Sequence, residues 1–171
     1  MALEEIIDVW KEIRSGLIDE VSLIPEESLT FRATPATRSV AEIIHHIVEA
    51  QTFLVGEMCK ADTNLKEALP RQLSKGKEAR PVESKEEIIE SLNSSMESAE
   101  AALRSFGEEP LKVTTERLDG KTMSKLDFMH FLIRHEMYHR GQITVYERLI
   151  EVEPALTTKL NQFLASIQQG D

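Results

Sequence analysis

The sequence predicts an all-α protein: an antiparallel four-helix bundle followed by a shorter C-terminal helix, with at most one small hairpin. Three observations support this. Four stretches carry apolar residues spaced by three or four, the period of a helix that buries one face. Two of those stretches open on S-x-x-E, the reciprocal capping box. Only one stretch, around Asp119-Gly120, sets β-branched residues beside turn chemistry.

The first helix carries Leu3, Ile6, Trp10, Ile13, Leu17, Val21 and Ile24, and Pro25 marks its end. Residues 25–38 hold two prolines and no period, so they read as a loop. Ser39 and Glu42 cap a second helix running to about Cys59, with Val40, Ile43, Ile44, Ile47, Leu54 and Met58 on its apolar face. Residues 60–83 are polar, contain Pro70, Gly76 and Pro81, and read as a long connection. Ser84 and Glu87 open a third helix that carries Ile88, Leu92, Met96, Ala99, Leu103 and Phe106 and stops at Gly107. The fourth runs from about Ser124 to Glu151. Pro154 opens a fifth with Leu156, Leu160, Phe163, Leu164 and Ile167.

The 171 residues suffice for one domain, 1–171, with a sizeable core. The formal net charge of −10 repels phosphate backbones, which argues against nucleic-acid binding. One cysteine, Cys59, excludes an internal disulfide and fits a reducing compartment. The acidic opening MALEEIIDVW lacks the basic region of a signal peptide, and no apolar run approaches the roughly 20 residues of a membrane span. A cytoplasmic protein with no membrane partner is expected.

Chemistry concentrates in HEMYHRGQ, residues 135–142, where His135 and His139 stand one turn apart. The wheel puts them in the middle of a stripe formed by Phe128, Phe131, Leu132, Tyr146, Leu149 and Ile150, with Gln142 beside them and His130 on the opposite, solvated side. Two buried imidazoles need partners, either neighbouring polar groups or one shared metal ion, and geometry alone leaves both open. On the second helix the wheel favours His46 over His45 by a margin too small to decide.

The first five residues also satisfy H-E-x-x-H, the zinc-protease pattern. A metzincin would continue with Gly at 142 and His at 145, where the chain has Gln142 and Val145. A later carboxylate ligand could come from Glu147, Glu151 or Glu153, but little around them suggests such a site. Glu136, some 60–100° round the wheel from the histidines, reads equally well as an ion-paired residue.

SVAEIIHHI at 39–47 and HEMYHRGQI at 135–143, in this helix order and spacing, together resemble the DinB/YfiT-like family. Ser39, Val40 and Glu42 match its first motif, which lays the ligand on His46. His135, His139, Gly141 and Gln142 match its second. Arg38 departs from the family's usual Trp at that position. The resemblance implies a four-helix bundle holding a divalent ion, zinc or nickel, on His46, His135 and His139. It also implies thiol S-transfer with a low-molecular-weight thiol, thiol-dependent isomerisation or hydrolysis of a small molecule, and a homodimer.

An open position on such an ion can deprotonate a thiol for transfer or acidify water for hydrolysis. Hydrolysis would need a general base, and Glu136 and Glu49 are the candidates. Phe128, Leu132 and Phe53 could wall the substrate. Gln142 could orient a ligand histidine or bridge helices. Tyr138 and Tyr146 could donate at the site, though aromatic packing is the simpler role, and Cys59 reads as a packing residue. A non-enzymatic metal-binding bundle is the rival class.

Overall fold

The computed structural model describes residues 2–74, 84–117 and 119–169. The four long helices are α1 (Leu3–Leu23), α2 (Val40–Met58), α4 (Lys85–Phe106) and α6 (Lys125–Leu149). Three shorter ones are α3 (Leu65–Ser74), α5 (Glu108–Leu111) and α7 (Ala155–Gln169). Among the described residues the strands are β1 (Thr114–Glu116) and β2 (Thr122–Ser124), an antiparallel hairpin pairing Thr115 with Met123. Both capping boxes form: Ser39 Oγ and Ser84 Oγ each accept from the backbone three residues on, and Glu42 and Glu87 reach back. Gly107 ends α4 at φ 84°, a left-handed conformation where a Cβ would be strained.

The expected bundle forms, with a particular winding. α1 packs against α4 and α6, and so does α2, so helices consecutive in the bundle (α1 and α2, α4 and α6) lie across its diagonals. α1 and α4 run antiparallel: Glu4 meets Arg104, and Lys85 reaches the carbonyls of Ser22 and Ile24. α2 and α6 also run antiparallel, with Tyr146 on the Arg38 carbonyl and Lys125 on that of Lys60. By contrast α1 and α6 run parallel, since Arg14 meets Glu136 and Glu20 meets Arg140. α2 and α4 run parallel too, Ile43 to Ile47 clustering with Ile88 and Leu92, and Leu54 to Met58 with Met96 to Leu103. Parallel neighbours need a connection that returns along roughly 30 Å of helix. That requirement explains the long segment between Met58 and Lys85.

Part of that segment is helical, contrary to the loop expected there. Asn64 caps α3 by accepting from the Glu67 N–H, and Leu65, 3% exposed, anchors it. Pro70 lies inside α3. Its missing N–H forfeits a single intrahelical bond, which the anchor offsets. Gly76 and Pro81 lie outside the described residues.

Two apolar clusters fill the interior, one around Trp10, Met58, Leu103 and Met129, the other around Leu17, Ile44, Leu92 and Ile143. Each large side chain fully buried there contributes about 1.5–3 kcal/mol. A polar layer separates the clusters. At its centre Arg14 uses all five N–H groups: on both oxygens of Glu136, on Gln51 Oε1, on the Leu92 carbonyl and on Ser95 Oγ. Trp10 Nε1 donates to Glu136 Oε2 at 2.7 Å. Every member is satisfied, so the layer fixes the register of all four long helices.

The buried face of α6 differs from the expected stripe. Met129, Leu132, Glu136, Ile143 and Glu147 face inward, whereas Phe131 and Leu149 are exposed. The stripe turns because Glu136 is drawn into the core by Arg14, which leaves the histidines near its margin. α7 departs as well: Leu156, Leu160, Phe163, Leu164 and Ile167 are 47–61% exposed.

Candidate metal centre

α2 and α6 cross antiparallel at the polar layer, where His46 faces His135 and His139. His135 Nε2 lies 3.2 Å from His46 Nε2 and 3.2 Å from His139 Nε2. The candidate ligand nitrogens of the three residues all fall within 4.8 Å of one another. Two nitrogens bound 2.0–2.1 Å from a tetrahedral ion stand about 3.3 Å apart, so two edges of the triangle already have ligand spacing. The donor set is three imidazoles without a carboxylate, a group that could hold a divalent ion and leave coordination positions open.

The surroundings favour the ligand form of His135 and His139. His139 Nδ1 lies 2.7 Å from Gln142 Oε1. An amide oxygen only accepts, so Nδ1 carries the hydrogen and Nε2 keeps its lone pair for the centre. Burial, helped by His139 and the charge of Arg38, pushes His135 down to about 4. His139 is lowered chiefly by burial, with the Gln142 bond opposing and Arg38 adding to the shift. Both rings are neutral at pH 7, as a metal ligand must be.

The other candidates fall elsewhere. His45 is buried and His130 half-buried, and neither belongs to the histidine group. Glu136 is 2% exposed and commits both oxygens to Arg14 and Trp10. Glu49 is at the surface of α2. Tyr146 is buried and donates to the Arg38 carbonyl at 3.0 Å. Tyr138 is exposed, its ring edge-on to His139 at 5.1 Å, so core packing does not describe it. Phe128 and Leu132 are core residues rather than a substrate wall, while the exposed Phe131 stacks on His135 at 6.0 Å. Burial raises the Cys59 thiol and so disfavours its thiolate, in keeping with a packing role.

A cleft of about 730 Å³ opens beside the histidines between the 33–38 loop and α6. Ala36, Arg38, Ile43, Tyr138, Gln142 and Val145 are among its lining residues. Sequence reasoning missed Arg38 as part of this site. Its signal was a charged residue standing where the motif has an aromatic one.

A helical bundle whose facing helices turn three imidazoles toward one point defines a class: bundles with a histidine-only candidate metal centre. The chain belongs to the DinB superfamily, whose profile matches residues 10–143. A DinB-like protein from Bacillus cereus superposes with a TM-score of 0.69 at 20% identity, covering 90% of this chain and 95% of that one. YfiT from Bacillus subtilis, described as a probable metal-dependent hydrolase with an unusual four-helix bundle topology, gives 0.67 at 15% identity and 88% of each chain. A mycothiol-dependent maleylpyruvate isomerase gives 0.65 at 15% identity, covering 84% of this chain and 61% of that one. At these identities the likeness is one of fold. No curated protein sequence matches the chain.

Proposed function

We propose that the protein is a metal-dependent thiol S-transferase that joins a low-molecular-weight thiol to a small electrophile. His46, His135 and His139 would hold the divalent ion, zinc or nickel. When bound, the ion supplies a +2 charge that makes a thiol acidic at neutral pH. Gln142 keeps His139 in the binding tautomer, and the cleft beside Tyr138 and Val145 receives the apolar part of the substrate.

One observation carries the choice of transfer over hydrolysis: both oxygens of Glu136 are committed to α1. Hydrolysis needs a base beside the attacking water, whereas a thiol can ionise without one. The same observation removes support for the protease reading of H-E-x-x-H. Hydrolysis remains the second reading, supported by the description of YfiT. The described helices include none long and apolar enough to cross a membrane. Cys59 supports a reducing, cytoplasmic setting, and the exposed apolar face of α7 supports a homodimer.

The test is a panel of thiols and electrophiles given to zinc- or nickel-loaded protein. Conjugate formation that requires added thiol and disappears in His139→Ala is the expected result. Ester or amide turnover without thiol would replace this reading with hydrolysis. Silence in both assays at full metal occupancy would favour a non-enzymatic metal-binding protein.

A further inference from the structure

Arg38 lines the cleft beside the histidine group, just before the Ser39 cap of α2. The protein's charge is −10, and its acidic side chains take up Arg14, Arg32, Arg104, Arg117 and Arg140 in ion pairs. Among the described residues none pairs with the Arg38 guanidinium, although its backbone carbonyl is held by Tyr146 Oη at 3.0 Å. The nearby carboxylate of Glu42 is engaged by Arg32 and by the Ser39 N–H. So the backbone of Arg38 is anchored, and its side chain lines the cleft with no carboxylate partner among the described residues. Half-buried, it keeps more of its field than a solvated arginine would.

The rest of the cleft is mostly apolar. Ala33, Ala36, Ile43 and Val145 line it with the rings of Tyr138 and Tyr146, and Gln142 and Thr37 add polar edges. An unpaired planar fork in an apolar cleft selects a planar anion on an apolar body, because a carboxylate accepts two parallel N–H bonds. We infer that Arg38 is a specificity-determining residue that binds the carboxylate of a small aryl or alkyl acid in the cleft beside the histidine centre. The inference rests on the reading of that centre as the reactive site. The carboxylate could belong to the electrophile or to the thiol, and both present the same chemistry to Arg38.

Calorimetric binding of matched probes to zinc-loaded protein tests this. Phenylacetate against phenylacetamide reports on the electrophile, and mercaptoacetate against 2-mercaptoethanol reports on the thiol. In at least one pair the acid should bind about tenfold more tightly than its neutral partner, as one charge-assisted pair at a half-exposed site provides. Arg38→Met should abolish that preference and Arg38→Lys should restore part of it, with zinc content unchanged in both. The pair that responds identifies which reactant carries the acid. Equal affinities within both pairs would overturn the inference. So would a preference that survives Arg38→Met and vanishes in His139→Ala, since the acid would then sit on the ion. If the wild type takes up no zinc, the parent reading fails, yet a phenylacetate preference lost in Arg38→Met still upholds the subsite.

Discussion

Arg14 on α1 and Glu136 on α6 form a buried ion pair, Nε to Oε1 at 2.6 Å, with 3% and 2% of their side chains exposed. Glu136 directly follows His135, so the pair clamps the helix that carries two of the three histidines against α1. Removing one member leaves the other charged and buried, at a cost of about 3–5 kcal/mol. Arg14→Met and Glu136→Gln should each lower the urea-unfolding free energy by that order. The double variant Arg14→Met/Glu136→Leu should recover most of it. A Glu136→Gln protein as stable as the parent would contradict this account of the H-E-x-x-H glutamate.

Metal analysis separates ligands from bystanders. His46→Ala, His135→Ala and His139→Ala should each strip zinc from the protein after dialysis, while His45→Ala and His130→Ala retain it. Gln142→Ala should weaken affinity by roughly 10-fold or more, the usual effect of losing the hydrogen bond behind a ligand histidine. If His45→Ala empties the site and His46→Ala does not, the ligand assignment on α2 fails.

Glu147 makes stability depend on pH. It is fully buried, neither oxygen has a hydrogen-bond partner, and burial with Glu20 nearby raises it to about 8. Its folded value lies above its ordinary one of 4.5, so the native state holds a proton the unfolded chain has released. That contribution is intact below about 4.5, shrinks as pH rises, and is gone above about 8, at up to about 1.4 kcal/mol per unit. Unfolding free energy measured from pH 5 to 8.5 should fall more steeply in the parent than in Glu147→Gln. Parallel curves would refute the assignment.

Gly16 sits mid-helix in α1 because Arg140 crosses it. A Cβ there would come within 2.1 Å of Arg140 Nη1, and Arg140 Nη2 is held 2.8 Å from Glu20 Oε1. Gly16→Ala should gain about 1 kcal/mol of helix propensity but lose more by displacing Arg140 from the buried Glu20. Net destabilisation is expected in the parent. In an Arg140→Ala background the same substitution should stabilise, and thermal denaturation of the four proteins reads the change of sign.

Local chemistry made much of this protein legible from its sequence. The Ser39/Glu42 and Ser84/Glu87 boxes, the Gly107 stop and the Asp119-Gly120 turn act over a few residues, so their elements begin and end where expected. The one-turn spacing of His135 and His139 is likewise a property of a single helix, and the family motifs singled out His46 rather than its neighbour. Tertiary structure decided what depends on distant partners. Glu136 reads as polar on a helical wheel, but Arg14, 122 residues away, neutralises it and turns that side of α6 inward. The same turn exposes Phe131 and sets Tyr138 and Gln142, the neighbours of His139, on the wall of a cleft. The parallel pairing of α2 with α4 and the helix at Leu65–Ser74 follow from how the four helices wind together. Short-range backbone preferences are written residue by residue, whereas the burial of a charge is settled only when its partner arrives.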